Sequence, residues 1–314
     1  MATAFAGGAC DGMVGSDGAS GDEPGVVEGA LGLSKTPEIA PHGRTLIRKG
    51  DLLKGDAHGG GGGKPKPQGN GISWHGGPVM LGTIGIYYIW YGDWSTNSAV
   101  GILEDFAANL GGSPYWNINT SYNNGAATAL SNSVAFKGST TDAYSLGKNL
   151  TDANFATIVA SAINSGRLPK DATGIYFVLT SADVNAKSGF CSQYCGWHTH
   201  TTVGGSDIKF AFVGNADRCP SSCLEQTVGP NGNAGADGMA SIIAHEAEEA
   251  ATDPDLNAWY DNTGAENADK CAWTYGATYT TANGALANMK LGTRDYLIQR
   301  NWVNAAGGYC ASSL

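Results

Sequence analysis

The sequence predicts an α/β domain, bordering on α+β, in which a mixed β-sheet is flanked by helices and braced by disulfides. Apolar runs of strand length and amphipathic runs of helix length follow one another along the chain, which is typical of a layered domain. Hydrophobic residues make up 42% of the 314 residues, enough for a packed core. Six of the seven cysteines lie between Cys191 and Cys310, where disulfides would brace the C-terminal half.

Residues 1 to 72 are predicted to be a disordered Gly/Pro-rich segment, and residues 73 to 314 one globular domain. No aromatic residue occurs between Phe5 and Trp74. Gly59 to Gly63 favour a flexible chain, and the prolines that follow favour a stiff spacer. Such a segment has little apolar surface to bury, which is why we predict disorder.

The folded domain is predicted to begin with a buried strand and a helix. Thr83 to Tyr91 is rich in β-branched and aromatic residues, as in a strand that is covered on both faces. From Ser98 to Leu110 the apolar residues recur with helical spacing, and Gly111 and Gly112 end the run. A strand that leads into a helix favours the layered α/β class.

Four further elements follow the same logic. Thr151 to Asn164 is predicted to be a helix because its apolar residues share one face and Gly166 follows its end. Gly174 to Thr180 and Asp207 to Val213 are predicted strands. The last predicted helix runs from Asp237 to Thr252.

Charge and hydropathy exclude two classes of partner. The 18 Lys and Arg against 28 Asp and Glu give a net charge of -10, so the surface field repels phosphate backbones and nucleic acid is not an expected partner. The longest apolar runs have the length of strands, so no membrane span is expected either.

An extracellular location is predicted from composition and cysteine content. Only 15% of the residues are charged, and glycine, amide and hydroxyl side chains are abundant. Residues 1 to 30 contain neither the basic start nor the continuous apolar stretch of a signal peptide, so no export signal is visible there. Two sequons, which begin at Asn119 and Asn149, are compatible with glycosylation.

The pairing of the six clustered cysteines is open, because many connectivities are allowed. The favoured pairing joins close neighbours and leaves the last two for each other: Cys191 with Cys195, Cys219 with Cys223, and Cys271 with Cys310. The alternative is a zinc cluster made from the two C-x3-C pairs. Cys10 is left unpaired in either case.

Four motifs occur in order in the domain: GGPVM leading into IYYIWYGDWS (residues 76–95), FCSQYCGWH (190–198), VGN with CPSSC (213–223), and DGM (237–239). With these motifs, most of residues 77 to 314 resemble the phosphate-induced protein 1 family, also called the EXORDIUM-like family. The resemblance implies export to the plant cell wall and an association with growth control. It brings no settled enzymatic activity.

The chain departs from the land-plant pattern of that family at one place. At Ala244 to Glu249 it carries the sequence AHEAEE, where the plant members have smaller uncharged residues. In this segment it is similar to microbial or algal members, and we expect it to be a member of that type with an HExxE motif.

The HEAEE segment predicts a metal site on the last helix. Residues four apart lie on the same helix face, so His245 and Glu249 project side by side. His245 and Glu246 match the H-E-x-x-H motif of zinc proteases, and Glu249 replaces the second histidine. Glu266 has a spacing similar to that of the downstream Glu of thermolysin-like enzymes. The expected cofactor is therefore zinc, held by His245, Glu249 and Glu266 in a zincin-like arrangement.

The remaining acidic residues have weaker assignments. Glu246 is the predicted catalytic base, which would deprotonate a metal-bound water. Asp269 is expected to orient His245, while Asp253 and Asp261 remain competing ligands. The structural alternative is an acidic helix with a solvated face and a buried, satisfied histidine.

Two further patterns allow a functional and a structural interpretation. His198 and His200 alternate as on one side of an extended strand, where they would stabilise an oxyanion or bind metal, although a polar loop is favoured. The aromatic run from Tyr87 to Trp94 has the composition of a sugar-stacking platform, but core packing is favoured.

The sequence thus supports two hypotheses about function. The first is a secreted or cell-wall zinc-dependent hydrolase, most simply a peptidase, whose partner is a peptide. The alternative is a non-catalytic extracellular protein that binds cell-wall carbohydrate or a receptor in growth signalling. The two differ in their requirement for metal.

Overall fold

A computed structural model describes residues 71–314 of the chain. In chain order its strands are β1 (Ile72–Trp74), β2 (Ile84–Tyr91), β3 (Val134–Asp142), β4 (Asn149–Leu150), β5 (Gly174–Thr180), β6 (Asn185–Ala186), β7 (Gly196–Val203), β8 (Ser206–Gly214), β9 (Trp259–Asp261), β10 (Tyr279–Thr280), β11 (Leu286–Ala287), β12 (Met289–Leu291), β13 (Arg294–Tyr296), β14 (Asn301–Val303) and β15 (Tyr309–Ala311). Its α-helices are α1 (Ala99–Leu110), α2 (Asp152–Asn164), α3 (Pro220–Cys223) and α4 (Ala234–Thr252), and 3-10 turns occupy Trp116–Ser121, Ala216–Arg218 and Asp269–Cys271.

The central sheet has five strands in the order β3-β2-β5-β8-β7. Strands β3, β2, β5 and β8 run parallel, whereas β7 runs antiparallel to β8. The predicted mixed sheet is therefore confirmed. All residues of β2 and β5 are buried, as expected for parallel strands that are covered on both faces.

The helices cover both faces of this sheet. Helices α1 and α4 pack against each other, and α4 packs on β7 and β8. On β7, the ring of Trp197 lies 5.2 Å from that of Phe155 in α2, while the next residue, His198, faces α4. Because neighbouring residues of a strand point to opposite faces, α2 and α4 lie on opposite sides of the sheet. The predicted α/β layering is confirmed by this arrangement.

Most predicted elements are present with small shifts at their ends. The largest shift is at α4, which begins at Ala234 and not at Asp237. The side-chain oxygen of Asn233 accepts a hydrogen bond of 3.0 Å from the backbone N–H of Ala236, so Asn233 is the N-cap. The glycine and alanine residues that follow the cap gave no amphipathic signal, which is why the first turn was missed.

Beyond α4 the chain forms short two-stranded ladders, β10 with β11, β12 with β13, and β14 with β15. Strand β9 pairs with β1, so the start of the described chain is joined to the segment after α4. Strands of two or three residues are too short for a hydrophobic period, and the sequence therefore did not predict them.

Three disulfides link the six clustered cysteines as Cys191 to Cys219, Cys195 to Cys223, and Cys271 to Cys310. The predicted disulfide-braced class and the last of the three bonds are confirmed. The two predicted bonds between close neighbours are wrong, and so is the alternative zinc cluster, because all six sulfurs are in disulfides.

Helix geometry explains the crosswise pairing. Cys219 caps α3 and Cys223 ends it, so their side chains lie side by side and the two Sγ atoms are 3.5 Å apart. Cysteines one turn apart in this way point in the same direction rather than at each other. Each therefore bonds to a cysteine of the other segment, Cys191 or Cys195, and the two bonds tie α3 to the start of β7.

The N-terminal prediction lies almost wholly outside the described residues, as does Cys10. At the C-terminal end of the segment that was predicted to be disordered, Ile72 is buried in β1 and pairs with Asp261 in β9. Within residues 71–314, no helix combines the length and apolar character needed to cross a membrane.

Candidate metal centre

The end of α4 brings the residues of the HEAEE motif into the interior of the protein. His245 is 1% exposed, and Glu246, Glu248 and Glu249 are fully buried. The structural alternative of a solvated acidic face is therefore wrong for this helix. Buried carboxylates are costly unless they are paired, protonated or bound to a cation, so this turn marks a candidate site.

Strand β7 supplies a second histidine to the same place. His198 is fully buried and lies in a strand, so the favoured polar loop is wrong. Two residues before His198, Gly196 has no side chain, which lets α4 approach β7 closely. A Cβ atom at this position would lie 2.5 Å from Cγ2 of Ile242 and 2.9 Å from Oε1 of Glu246.

His245 faces two carboxylates through one ring nitrogen. Its Nε2 lies 2.9 Å from Oε1 of Glu249 and 3.6 Å from Oδ1 of Asp269. The backbone N–H of Asp269 also donates to Oε1 of Glu249, at 3.1 Å. Asp269 thus shares the Nε2 side of His245 with Glu249, rather than orienting the ring from Nδ1.

His198 faces three carboxylates through both ring nitrogens. Its Nδ1 lies 3.7 Å from Oε2 of Glu246 and 3.6 Å from Oε2 of Glu249. Its Nε2 lies 3.9 Å from Oε1 of Glu266 and 3.3 Å from the backbone oxygen of Asp253. We call the whole group the His-carboxylate cluster; its members are His198, His245, Glu246, Glu249, Glu266 and Asp269.

The electrostatics of the cluster favour a shared cation or proton. Burial lowers the pKa of His245, but Glu249 and Asp269 outweigh burial and raise it well above the ordinary value. Burial would raise the pKa of Glu249, yet His245 and His198 lower it to about 2. The neighbouring Glu248 differs, because burial raises its pKa well above the ordinary value and favours its neutral form. A metal ion that binds such groups displaces the proton that they share.

Two predicted competitors of Glu266 are engaged elsewhere. Oδ1 of Asp253 accepts from the backbone N–H groups of Asn257 and Ala258, so it shapes the turn after α4. Asp261 accepts from Thr263 and Ala265, and its other oxygen lies 3.1 Å from Nζ of Lys270.

A third acidic group with a histidine lies near the surface. Nδ1 of His200 is 2.9 Å from Oδ1 of Asp207, and Asp255 completes the group. Lys209 forms ion pairs with both Asp207 and Asp255, so its ammonium group already occupies the position that a metal ion would take between these carboxylates.

Comparison with known proteins decides the family. The conserved region of the phosphate-induced protein 1 family matches residues 72–299, a stretch that contains the whole His-carboxylate cluster. The chain belongs to the phosphate-induced protein 1 family.

Curated relatives of this family member come from plants. Protein EXORDIUM-like 3 of Arabidopsis thaliana is 32% identical over 279 residues, which cover 76% of this chain and 82% of the relative. Protein EXORDIUM-like 5 of Arabidopsis thaliana is 33% identical over 273 residues, or 74% of this chain and 75% of the relative. Protein PHOSPHATE-INDUCED 1 of Nicotiana tabacum is 28% identical over 242 residues, or 67% of this chain and 74% of the relative. These relatives and the three disulfides are compatible with an extracellular location. No solved structure matches the chain at a significant level.

The structure of this phosphate-induced protein 1 family member brings together most of the predicted site residues. His245 and Glu249 lie side by side as the helical spacing predicted, and Glu246 and Glu266 contact His198 while Asp269 contacts His245. From the sequence, neither His198 nor Asp269 was expected to be a main metal ligand. The alternation of His198 and His200 with Trp197, Thr199 and Thr201 was the available signal for β7, but the sequence does not show which element packs on a strand.

The aromatic run belongs to the core. Tyr87, Tyr88, Trp90 and Tyr91 are each at most 4% exposed, and Trp94 is 7% exposed. The favoured interpretation as core packing is confirmed, and these rings offer no face to a sugar.

Proposed function

We propose that this protein is an extracellular zinc-dependent hydrolase, most simply a peptidase. The observation that carries the proposal is the convergence of one turn of α4 with β7, which buries His245, Glu246 and Glu249 against His198. Imidazole and carboxylate groups are the ligand set of catalytic zinc sites, which leave one position open for water. A helix with a His-Glu pair packed beneath a mixed sheet also supports the zincin-like arrangement and the HExxE assignment.

The distances suggest a role for each group. His245 and Glu249 would hold the zinc ion. Asp269 lies 3.6 Å from Nε2 of His245, so we favour it as the third ligand and place Glu266 beside His198. Glu246 would take the proton from the zinc-bound water, since it is the carboxylate next to the ligands. When bound, zinc would lower the pKa of that water and polarise the substrate carbonyl.

A cavity that is lined in part by the turn after α4 is the proposed entrance for a substrate. It has a volume of 470 Å³, with an apolar wall from Pro78 to Leu81, and Pro254 and Asp255 form another side. These two residues directly follow Asp253, whose backbone oxygen contacts His198. Because the cluster itself is buried, a substrate would reach it only when the turn at Asp253 to Asp255 moves, and the apolar wall favours a peptide with an apolar side chain.

Peptidase activity is tested with Glu246→Gln in the full chain. We expect the zinc-loaded wild type to cleave a fluorogenic peptide library and Glu246→Gln to lower kcat by about 10²–10⁴-fold, because the variant cannot accept the proton of water. Glu248→Gln is the matched control. It makes the same change two residues away, at a carboxyl whose raised pKa already favours the neutral form, and it should keep the activity.

Two outcomes would contradict the proposal: a folded, zinc-loaded wild type that cleaves no peptide, or equal activity of both variants. The first outcome would favour the second candidate, a non-catalytic extracellular protein that binds carbohydrate or a receptor. The burial of most of the cluster favours that candidate, because the substrate of an enzyme must be able to reach the catalytic groups. Its exposed aromatic rings would be those of Trp74, Tyr279 and Tyr309, which are 40%, 43% and 45% exposed.

Glycosylation at a single sequon is expected if the chain is exported through a eukaryotic secretory route. Asn149 is exposed in β4, whereas Asn119 is fully buried in a 3-10 turn, and a glycan needs an accessible side chain. Intact mass before and after glycosidase treatment should show one glycan, absent from Asn149→Gln. A glycan on Asn119 in the folded, secreted protein would contradict this prediction.

A further inference from the structure

We propose that the His-carboxylate cluster is a two-metal site in which Glu249 bridges the ions. The first ion is the zinc of the proposed function, held by His245, Glu249 and Asp269. The second is a divalent cation held by His198, Glu249 and one oxygen of Glu246, whose other oxygen takes the proton in the proposed reaction. The inference deepens the proposed function and rests on the same site.

Distances within the second group fit a shared metal better than hydrogen bonds. Hydrogen bonds between nitrogen and oxygen are about 2.7–3.2 Å long. The Nδ1 atom of His198 lies 3.7 Å from Oε2 of Glu246 and 3.6 Å from Oε2 of Glu249. Ligands at about 2.1 Å from one tetrahedral zinc are about 3.4 Å apart, close to both separations. In each of the two groups, one ligand atom per residue lies within 4.8 Å of the others.

Glu249 is placed to serve both ions because its two oxygens face different histidines. Oε1 lies 2.9 Å from Nε2 of His245, and Oε2 lies 3.6 Å from Nδ1 of His198. Oε2 is buried and has no hydrogen-bond partner among residues 71–314. A bridging carboxylate uses one oxygen for each metal, and two-metal hydrolase sites place their ions about 3.5–4 Å apart.

The charge of the cluster matches two divalent ions. Glu246, Glu249, Glu266 and Asp269 bring four negative charges when ionised, and the basic groups of the cluster are two imidazoles, which are neutral when they bind metal. One divalent ion would leave two negative charges in a buried place, whereas two ions balance all four. Uncompensated buried charge costs several kcal/mol, so the second ion removes a large penalty.

Glu266 has a positioning role in this arrangement. It lies 3.9 Å from Nε2 of His198, the ring nitrogen opposite the one that faces Glu246 and Glu249, and the backbone oxygen of Asp253 lies 3.3 Å from the same nitrogen. An acceptor at one ring nitrogen holds the proton there and leaves the other nitrogen free to bind metal. The backbone oxygen of Asp253 therefore selects the tautomer in which Nδ1 is the ligand atom, and the carboxylate of Glu266 adds negative charge on the side of the ring that carries the proton.

The test is the metal content of the full chain, loaded with zinc and dialysed. We expect two equivalents in the wild type, one in His198→Ala and one in His245→Ala. His200→Ala is the matched control on β7, since its ring belongs to the surface group with Asp207, and it should keep both equivalents. A measurement that needs no variant is electron paramagnetic resonance of the Mn²⁺-loaded wild type, in which two ions bridged by Glu249 should give an exchange-coupled spectrum.

The outcomes separate the inference from the proposed function. One equivalent in the wild type, lost in His245→Ala and kept in His198→Ala, would overturn the two-metal site and leave the zinc hydrolase intact. A second equivalent that is lost in His200→Ala and kept in His198→Ala would also overturn it, because the ion would lie in the surface group. No bound metal in a folded wild type would overturn both.

Discussion

Removal of the proposed zinc is expected to lower the free energy of unfolding of the full chain by about 4 kcal/mol for each ion, relative to zinc at 1,000 times its dissociation constant. The reason is that the ligands lie in the interior, where Glu246, Glu249 and Glu266 are fully buried. Without a cation these carboxylates repel one another in a medium of low polarity. Urea unfolding of the disulfide-intact protein, in zinc and in chelator, measures the difference.

Glu249→Gln should remove this dependence on zinc, because the variant keeps the shape of the side chain and loses the charge that both proposed ions would require. Its unfolding midpoint should be the same in zinc and in chelator. Glu104→Gln is the control, because it makes the same change in α1, at a residue that accepts a hydrogen bond from Ser139. Its unfolding should respond to zinc as that of the wild type does. A wild type whose unfolding is identical in zinc and in chelator would contradict the metal centre.

Gly196→Ala should destabilise the fold and weaken the metal site together. The added Cβ would lie 2.5 Å from Cγ2 of Ile242 and 2.9 Å from Oε1 of Glu246, so α4 must move away from β7. Overpacking of this kind costs about 1–3 kcal/mol, and the displacement of Glu246 adds a loss of zinc affinity. Urea unfolding and zinc titration of the same sample measure both effects.

Gly101→Ala provides the control for the change itself. This glycine is exposed in α1, and a Cβ there meets nothing within 4 Å. Replacement of a helical glycine with alanine stabilises by about 0.4–1 kcal/mol, because the unfolded chain loses freedom. Equal stability of Gly196→Ala and the wild type would show that the contact between β7 and α4 is looser than the structure indicates.

The sequence by itself determined three strands of the central sheet, the three long helices and part of the site, but not β3 or β7. Strands such as Gly174–Thr180 and helices such as Asp152–Asn164 follow from local periodicity and end signals, because each is long enough to show its period. The pairing of His245 with Glu249 follows from helix geometry alone, since residues four apart lie on the same face of a helix.

Only the tertiary structure decided which distant groups complete the cluster and which cysteines bond. His198 reaches the site because β7 adds antiparallel to β8 and places alternate residues against α4. Cys195 bonds to Cys223 and not to Cys191 because α3 presents its two sulfurs side by side to another segment. Spacing along the chain carries no information about either contact, since both depend on how separate elements pack.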